Sequence, residues 1–217
     1  MTRRLSLTVD SRNLAVHLHR GDLPGEVKFG PQVAVDTETL GLSLVRDVLC
    51  LVQLSDGGNE AHLVQLDRSS YDAPNLKRVL TDTGTLKLFH FARFDVAAFQ
   101  RWLKVETSPI YCTKVASRLT RTFTDRHGLK DLARDLLGLD LSKQQQSSDW
   151  GADTLTKEQI DYAAADVLYL HAMKEKLDVM LAREGRSHLA EACFRFLPAR
   201  AALDLAGWPE IDILAHS

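Results

Sequence analysis

Hydrophobic and polar positions along this 217-residue chain follow two different periods, and the switches between them mark out its elements. Compact apolar runs over residues 33–37 and 49–55 predict buried strands, with Gly41 and the polar residues around it turning the chain between them. A third strand is expected over 61–66. The intervening Asp56-Gly57-Gly58-Asn59 is hairpin chemistry, so these last two strands should run antiparallel. Helical spacing appears at 74–81, gives way to a strand at 86–91, and returns over 92–103 with Phe94, Ala97, Ala98 and Trp102. Further helices are predicted over 113–122 and 129–137, the second stopped by Gly138. The longest helix should start at Thr156, where Thr-Lys-Glu-Gln forms a capping box, and end near Glu184 before Gly185. Ser187 caps a last helical region that Pro198 should break or kink. Residues 1–20 carry no assignable motif and are set apart as an N-terminal extension. Residues 21–217 are expected to form a single α/β domain, a mixed central sheet flanked by helices, with a C-terminal helical tail.

Composition narrows this picture in three ways. With 45% hydrophobic residues, the chain can bury one substantial core. A formal charge of only −2 argues against a protein that grips long nucleic acid through many phosphates, and it suits a short substrate held at one site. Cys50, Cys112 and Cys193 are widely spaced and odd in number, which indicates neither a disulfide framework nor a zinc site. The N-terminus lacks a signal-type apolar segment and no stretch reaches membrane-spanning length, so a cytoplasmic protein without membrane contact is expected.

The candidate chemistry lies in four acids and a tyrosine. Asp36 and Glu38 close the first strand with the same parity, so both point to one face. Asp95 falls in the first turn of the helix over 92–103. Tyr162 and Asp166, four residues apart in the longest helix, share a face one turn apart. Each has an ordinary reading: acids at a strand end, an acid favouring a helix N-terminus, a tyrosine packed on a half-buried face. Together they describe a set of carboxylates that would repel one another unless cations sat among them. Two divalent ions with hard oxygen ligands answer that requirement and suit in-line displacement at a phosphodiester.

The order and spacing of these residues resemble the DEDDy branch of the DEDD superfamily of 3'-5' exonucleases. LSKQQQSSDWGADTLTKEQIDYAAADVLYL is similar to the ribonuclease D type. VDTETLGL, CTKVASRLTRTFTDRHGLK and CFRFLPARAALDLAGWPEIDILAHS resemble the nanoRNase C family, small ribonuclease D relatives that degrade dinucleotides. The likeness runs from about Gly21 to Ser217. It implies a ribonuclease H-like (DnaQ-like) fold and two divalent ions, Mg2+ or Mn2+. Asp36, Glu38 and Asp166 would hold the ion that activates the attacking water, Tyr162 would orient that water, and Asp36 with Asp95 would hold the second ion. One departure is Cys112, which stands where ribonuclease D relatives often carry Asp; that position is not among the four acidic ligands.

Substrate contacts are expected around this centre. Leu40 directly follows the acidic pair, and the resemblance implies an apolar wedge against the terminal bases, which would discriminate little among them. Thr37 and His90 are further candidate contacts. Lys143, Gln146, Ser147 and Ser148 could donate to a 5' phosphate and so cap a short substrate. Phe91 and Phe94 are expected to fill the core, and Arg118, Arg121, Arg126 and Lys130 to form a mostly solvated basic face, some of it lining the substrate channel. The function that follows is a metal-dependent exoribonuclease releasing 5'-mononucleotides from very short RNA, dinucleotides above all. The alternatives are a general 3'-5' exonuclease on longer RNA or DNA ends and a catalytically silent nucleic-acid-binding module. Ribonuclease D's further helical domains are not seen in the chain, which argues against structured transfer RNA precursors as substrates. The resemblance also implies a ring-like homo-octamer, to which the apolar residues of the tail would contribute.

Overall fold

The computed structural model describes residues 2–9, 12–141, 144–145 and 147–216. Lys143 and Gln146, two of the expected phosphate donors, lie outside the described residues. Seven strands form one mixed sheet in the order β1-β2-β5-β4-β3-β6-β7. They are β1 (Thr2–Val9), β2 (Arg12–Arg20), β3 (Gln32–Thr39), β4 (Leu49–Ser55), β5 (Glu60–Gln65), β6 (Leu86–Phe89) and β7 (Ile110–Cys112). The helices are α1 (Pro74–Thr81), α2 (Ala92–Ala98), α3 (Thr113–Thr120), α4 (Leu129–Leu132), α5 (Lys157–Leu168), α6 (Leu170–Arg183) and α7 (Ser187–Leu205). This is the mixed sheet flanked by helices that the sequence predicts, with β4 and β5 antiparallel as the Gly57-Gly58 turn requires.

Four differences have physical causes. The stretch without a motif supplies β1 and β2, and β2 pairs in parallel with β5. Its alternating Leu14, Val16 and Leu18 are buried in the core. The expected long helix is two helices hinged at Tyr169 (φ −108°, ψ −2°). No glycine or proline marks that hinge, and Leu168, Tyr169 and Leu170 are all buried, so packing on both sides sets it. Pro198 does not end α7, because Phe194, Leu197 and Ala201 around it are buried and hold the turns whose hydrogen bond proline removes. Finally, α2 and α4 each widen into a π-helical turn, Phe99–Leu103 and Ala133–Leu137.

The core lies on both faces of the central strands, and all seven residues of β4 are buried. Among the described residues no helix is long and apolar enough to cross a membrane. Cys50, Cys112 and Cys193 are free thiols.

Candidate active site

The acids emerge where β3 leaves the core. Val33, Ala34 and Val35 are fully buried and fix the strand between β4 and β6. After Glu38 the ladder slips by one residue, so Thr39 faces Leu49 where an even register would give Cys50. A bulge here bends the strand end beside the acids. Helix α5 lies across β3, β4 and β5 and brings Tyr162 and Asp166 over the same point. Its start is fixed by the predicted capping box: Thr156 Oγ1 accepts from the Gln159 amide at 3.2 Å, and Gln159 Oε1 accepts from the Thr156 amide at 2.9 Å.

Asp36, Glu38 and Asp166 each offer a carboxylate oxygen within 4.8 Å of the other two. Asp95, in the first turn of α2, is buried beside them and outside that cluster, and its Oδ1 accepts from the Thr37 hydroxyl at 2.7 Å. Burial pushes the carboxyl of Asp36 up to about 7. The same cause, reinforced by the neighbouring carboxylates, holds Glu38, Asp95 and Asp166 well above the usual range. The groups acting most strongly on these four acids are one another, Gln53, Thr37, Tyr162 and the backbone. Packing like charges without a cation is costly, so the donor set fits divalent ions with oxygen ligands. The Tyr162 phenol hydrogen-bonds to Asp166, and burial with the nearby acids keeps it protonated. Its ring lies against the buried Trp150, with centroids 6.1 Å apart.

Asp36, Glu38 and Asp166 line a cleft of about 600 Å³. Thr37, Leu40, His90, Ser147 and Ser148 line it, together with Leu42, Phe91, Phe94, Lys114 and Lys130. Leu40 is 49% exposed, at the mouth. His90 is tied into the fold: its Nδ1 lies 2.9 Å from the Thr113 hydroxyl, and burial followed by the Lys114 charge lowers its pKa to about 3. Ser148 donates to Gln145 Oε1 at 2.6 Å, and Ser147 is exposed. The loop after them is pinned through its carbonyls, by Arg20 and Gln65 to Asp153 and by Arg68 to Gly151.

Two expectations about side chains are corrected. Phe91 is not core: its backbone is left-handed (φ 71°) and its ring stands in the cleft with the Lys114 ammonium 4.1 Å from its centroid. Phe94, half-buried, lines the same wall. The expected basic face is also divided. Arg121 departs from it, being buried, bonded to the Arg126 carbonyl at 2.8 Å and paired with Asp135, while Lys130 lines the cleft, a place the expectation left open to part of this face. Gln53 had no signal beyond its place in an apolar strand, yet it touches both acids of β3. A larger hollow of about 740 Å³ between β7, α6 and α7, lined by Tyr111, Phe194 and Pro198, contains none of the four acids.

Comparison with known proteins agrees with this geometry. A 3'-5' exonuclease family model matches residues 22–182. Brucella melitensis NrnC bound to pGG is 50% identical with a TM-score of 0.88, covering 93% of this chain and 98% of that one. The same protein with bound Mg2+ is 49% identical with a TM-score of 0.87, covering 93% and 99%. Ribonuclease D of Acidiphilium cryptum is 34% identical over 156 residues, 72% of this chain and 39% of that enzyme. The chain thus spans about two fifths of the curated ribonucleases D it matches. By family match, fold and relatives, the chain belongs to the 3'-5' exonucleases of ribonuclease H-like fold, as a nuclease of the NrnC and ribonuclease D type.

Proposed function

We propose that this protein hydrolyses very short RNA from its 3' end, dinucleotides above all, releasing 5'-mononucleotides at the end of RNA decay. The observation that carries the reading is an acidic cluster at the floor of a cleft of about 600 Å³, a volume in the range of small-ligand sites. A relative half identical to this chain binds pGG, a dinucleotide, which supports the same substrate class here.

Asp36, Glu38 and Asp166 would hold one divalent ion, and Asp36 with Asp95 a second, Mg2+ or Mn2+. Bound there, such ions supply a hydroxide at neutral pH and stabilise charge on the leaving 3' oxygen. The chain's own groups do the rest. Tyr162, held by Asp166 and backed by Trp150, presents its hydroxyl to the attacking water and fixes its line of approach. Leu40 and Phe91 offer apolar surfaces for the two bases. Ser147 and Ser148, with Lys143 and Gln146, would receive the 5' phosphate. His90, neutral and braced by Thr113, shapes the wall between them. The exposed Trp208, Ile211, Ile213 and Leu214 suit a homo-oligomer, an octameric ring by resemblance, acting in the cytoplasm.

The test is a time course with 5'-labelled RNAs of two, three, five and ten nucleotides and their DNA counterparts, with Mg2+, Mn2+ or EDTA. The dinucleotide RNA should disappear fastest, EDTA should stop the reaction, and a folded Asp36→Ala protein should be inactive. Equal shortening of every length would replace this reading by a general exonuclease on longer RNA or DNA. Activity retained in Asp36→Ala would overturn the site assignment. Sedimentation as a monomer at micromolar concentration would remove the ring.

A further inference from the structure

We infer that Gln53 is a positioning residue for the acidic pair of β3, holding Asp36 and Glu38 in the arrangement that receives a divalent ion. Gln53 lies on β4 directly opposite Asp36 in the antiparallel ladder, so its side chain rises from the same face. Its Nε2 donates to Asp36 Oδ2 and to Glu38 Oε1, each at 3.4 Å. The two hydrogens of one amide nitrogen match the two carboxylates, one each. The residue sits behind the acids and does not line the cleft, so it acts through them.

Packing alone does not call for a glutamine at this position. Its side chain is fully buried, and its Oε1 accepts no hydrogen bond among the described residues. A buried acceptor without a partner carries a desolvation cost that methionine or leucine of similar volume would avoid. What glutamine supplies in return is the donor pair. Asp36 and Glu38 repel each other, and with no donor between them their carboxylates would swing apart. Every carboxylate oxygen has a second lone pair, so a bond from Gln53 and coordination of an ion are compatible. Groups that hydrogen-bond to metal ligands in this way fix ligand orientation and tune affinity.

The inference rests on the metal reading of the acids, and the experiment separates the two. Mn2+ binding is measured by titration calorimetry on the wild type, Gln53→Met, Gln53→Glu and Asp36→Ala, with thermal melts of the metal-free proteins and kcat and KM on a dinucleotide RNA. Gln53→Met loses an orphan acceptor and two long hydrogen bonds together, so it should melt within a few degrees of the wild type, bind Mn2+ about tenfold to a hundredfold more weakly, and lose kcat with KM unchanged. Gln53→Glu, which keeps the shape but replaces two N–H donors by a carboxyl with at most one O–H, should not recover that affinity. Wild-type Mn2+ affinity in Gln53→Met, with binding lost in Asp36→Ala, would overturn the inference and leave the site reading standing. A Gln53→Met protein that melts well below the wild type would assign the residue to the core instead. Equal Mn2+ binding by the wild type and Asp36→Ala would remove the site reading and this inference with it.

Discussion

The hydroxyl of Thr37 donates to Oδ1 of Asp95 across 2.7 Å, joining the strand that carries Asp36 and Glu38 to the helix that carries Asp95. Thr37 was expected to touch substrate. It lines the cleft, and its hydrogen bond fixes the fourth acid against the other three. Thr37→Val keeps the shape and removes the donor, and it should lower kcat about tenfold or more, as loss of a ligand's hydrogen-bond partner does. Thr37→Ser should restore most of it. Equal activity in Thr37→Val and wild type would limit the hydroxyl to a packing role.

The helix that carries Asp95 is also fixed from its other side. Arg93 reaches the buried Asp204 of α7 at 2.5 and 2.8 Å, and Arg200 meets the same carboxylate at 2.9 Å through Nε. Both arginines also hold carbonyls of the tail, Pro209 for Arg93 and Trp208 and Ile211 for Arg200. Asp204→Ala removes the acid that both guanidiniums share. It should cost about 3 kcal/mol, the low end for breaking a buried pair, because both arginines keep a path to water. Urea denaturation measures the loss, and proteolysis after residue 205 should become faster in the same variant.

The parts of this fold that were legible in the sequence are those where a local pattern and the tertiary structure agree. The buried run before Asp36, the Gly57-Gly58 turn and the Thr156 capping box each state their structure within a few residues, and each is present. The hinge at Tyr169 has no such statement, since both flanking segments are good helix and only packing divides them. Phe91 departs from the expectation that an aromatic after a strand joins the core. A left-handed backbone at a non-glycine residue turns it into the cleft, and no residue type announces that. The four acids and Tyr162 could be named because order and spacing carry them. Gln53 could not, because its role appears only once β4 is set in register with β3. The alternation at Leu14, Val16 and Leu18 is a strand pattern in its own right, although no motif accompanies it.

Lys87 is fully buried on β6, and its ammonium donates to the carbonyls of Asp82 at 2.7 Å, Thr85 at 2.8 Å and Ser108. Burial lowers its pKa to about 8, against the opposing pull of Asp82. The three bonds tie the turn before β6 to the approach of β7, so one side chain closes the sheet edge. Lys87→Met fills the volume and leaves three carbonyls without their donor. The expected loss is about 3 kcal/mol in urea denaturation, since each carbonyl left unpaired is penalised. A change below about 1 kcal/mol would mean that water replaces the ammonium freely.

Across the β2–β5 junction three imidazoles stack. His17 and His62 lie 4.9 Å apart between centroids, and His19 Nε2 meets His62 Nδ1 at 3.0 Å. Phe29 closes edge-on against His62, and Glu60 stands 3.8 Å from His17 and 3.9 Å from His62. Burial, then the neighbouring imidazoles, lowers His19 to about 4, with Glu26 opposing; burial and His17 lower His62, with Glu60 and Asp56 opposing. Both rings are therefore neutral in the folded protein at a pH where the unfolded chain, with an ordinary value of 6.5, already takes up protons. A depressed value contributes stability that is complete above about pH 6.5 and is lost as pH falls toward 4. The acids of the cleft, whose values are raised, act in the opposite sense, so the triad is isolated by comparing variants at each pH. His19→Leu cannot be protonated. Its melting temperature should fall less than that of the wild type between pH 6.5 and 4.5, with the two curves parallel above pH 7. Parallel curves over the whole range would show that His19 accepts its proton without cost and that the N-terminal strands are not held by its neutrality.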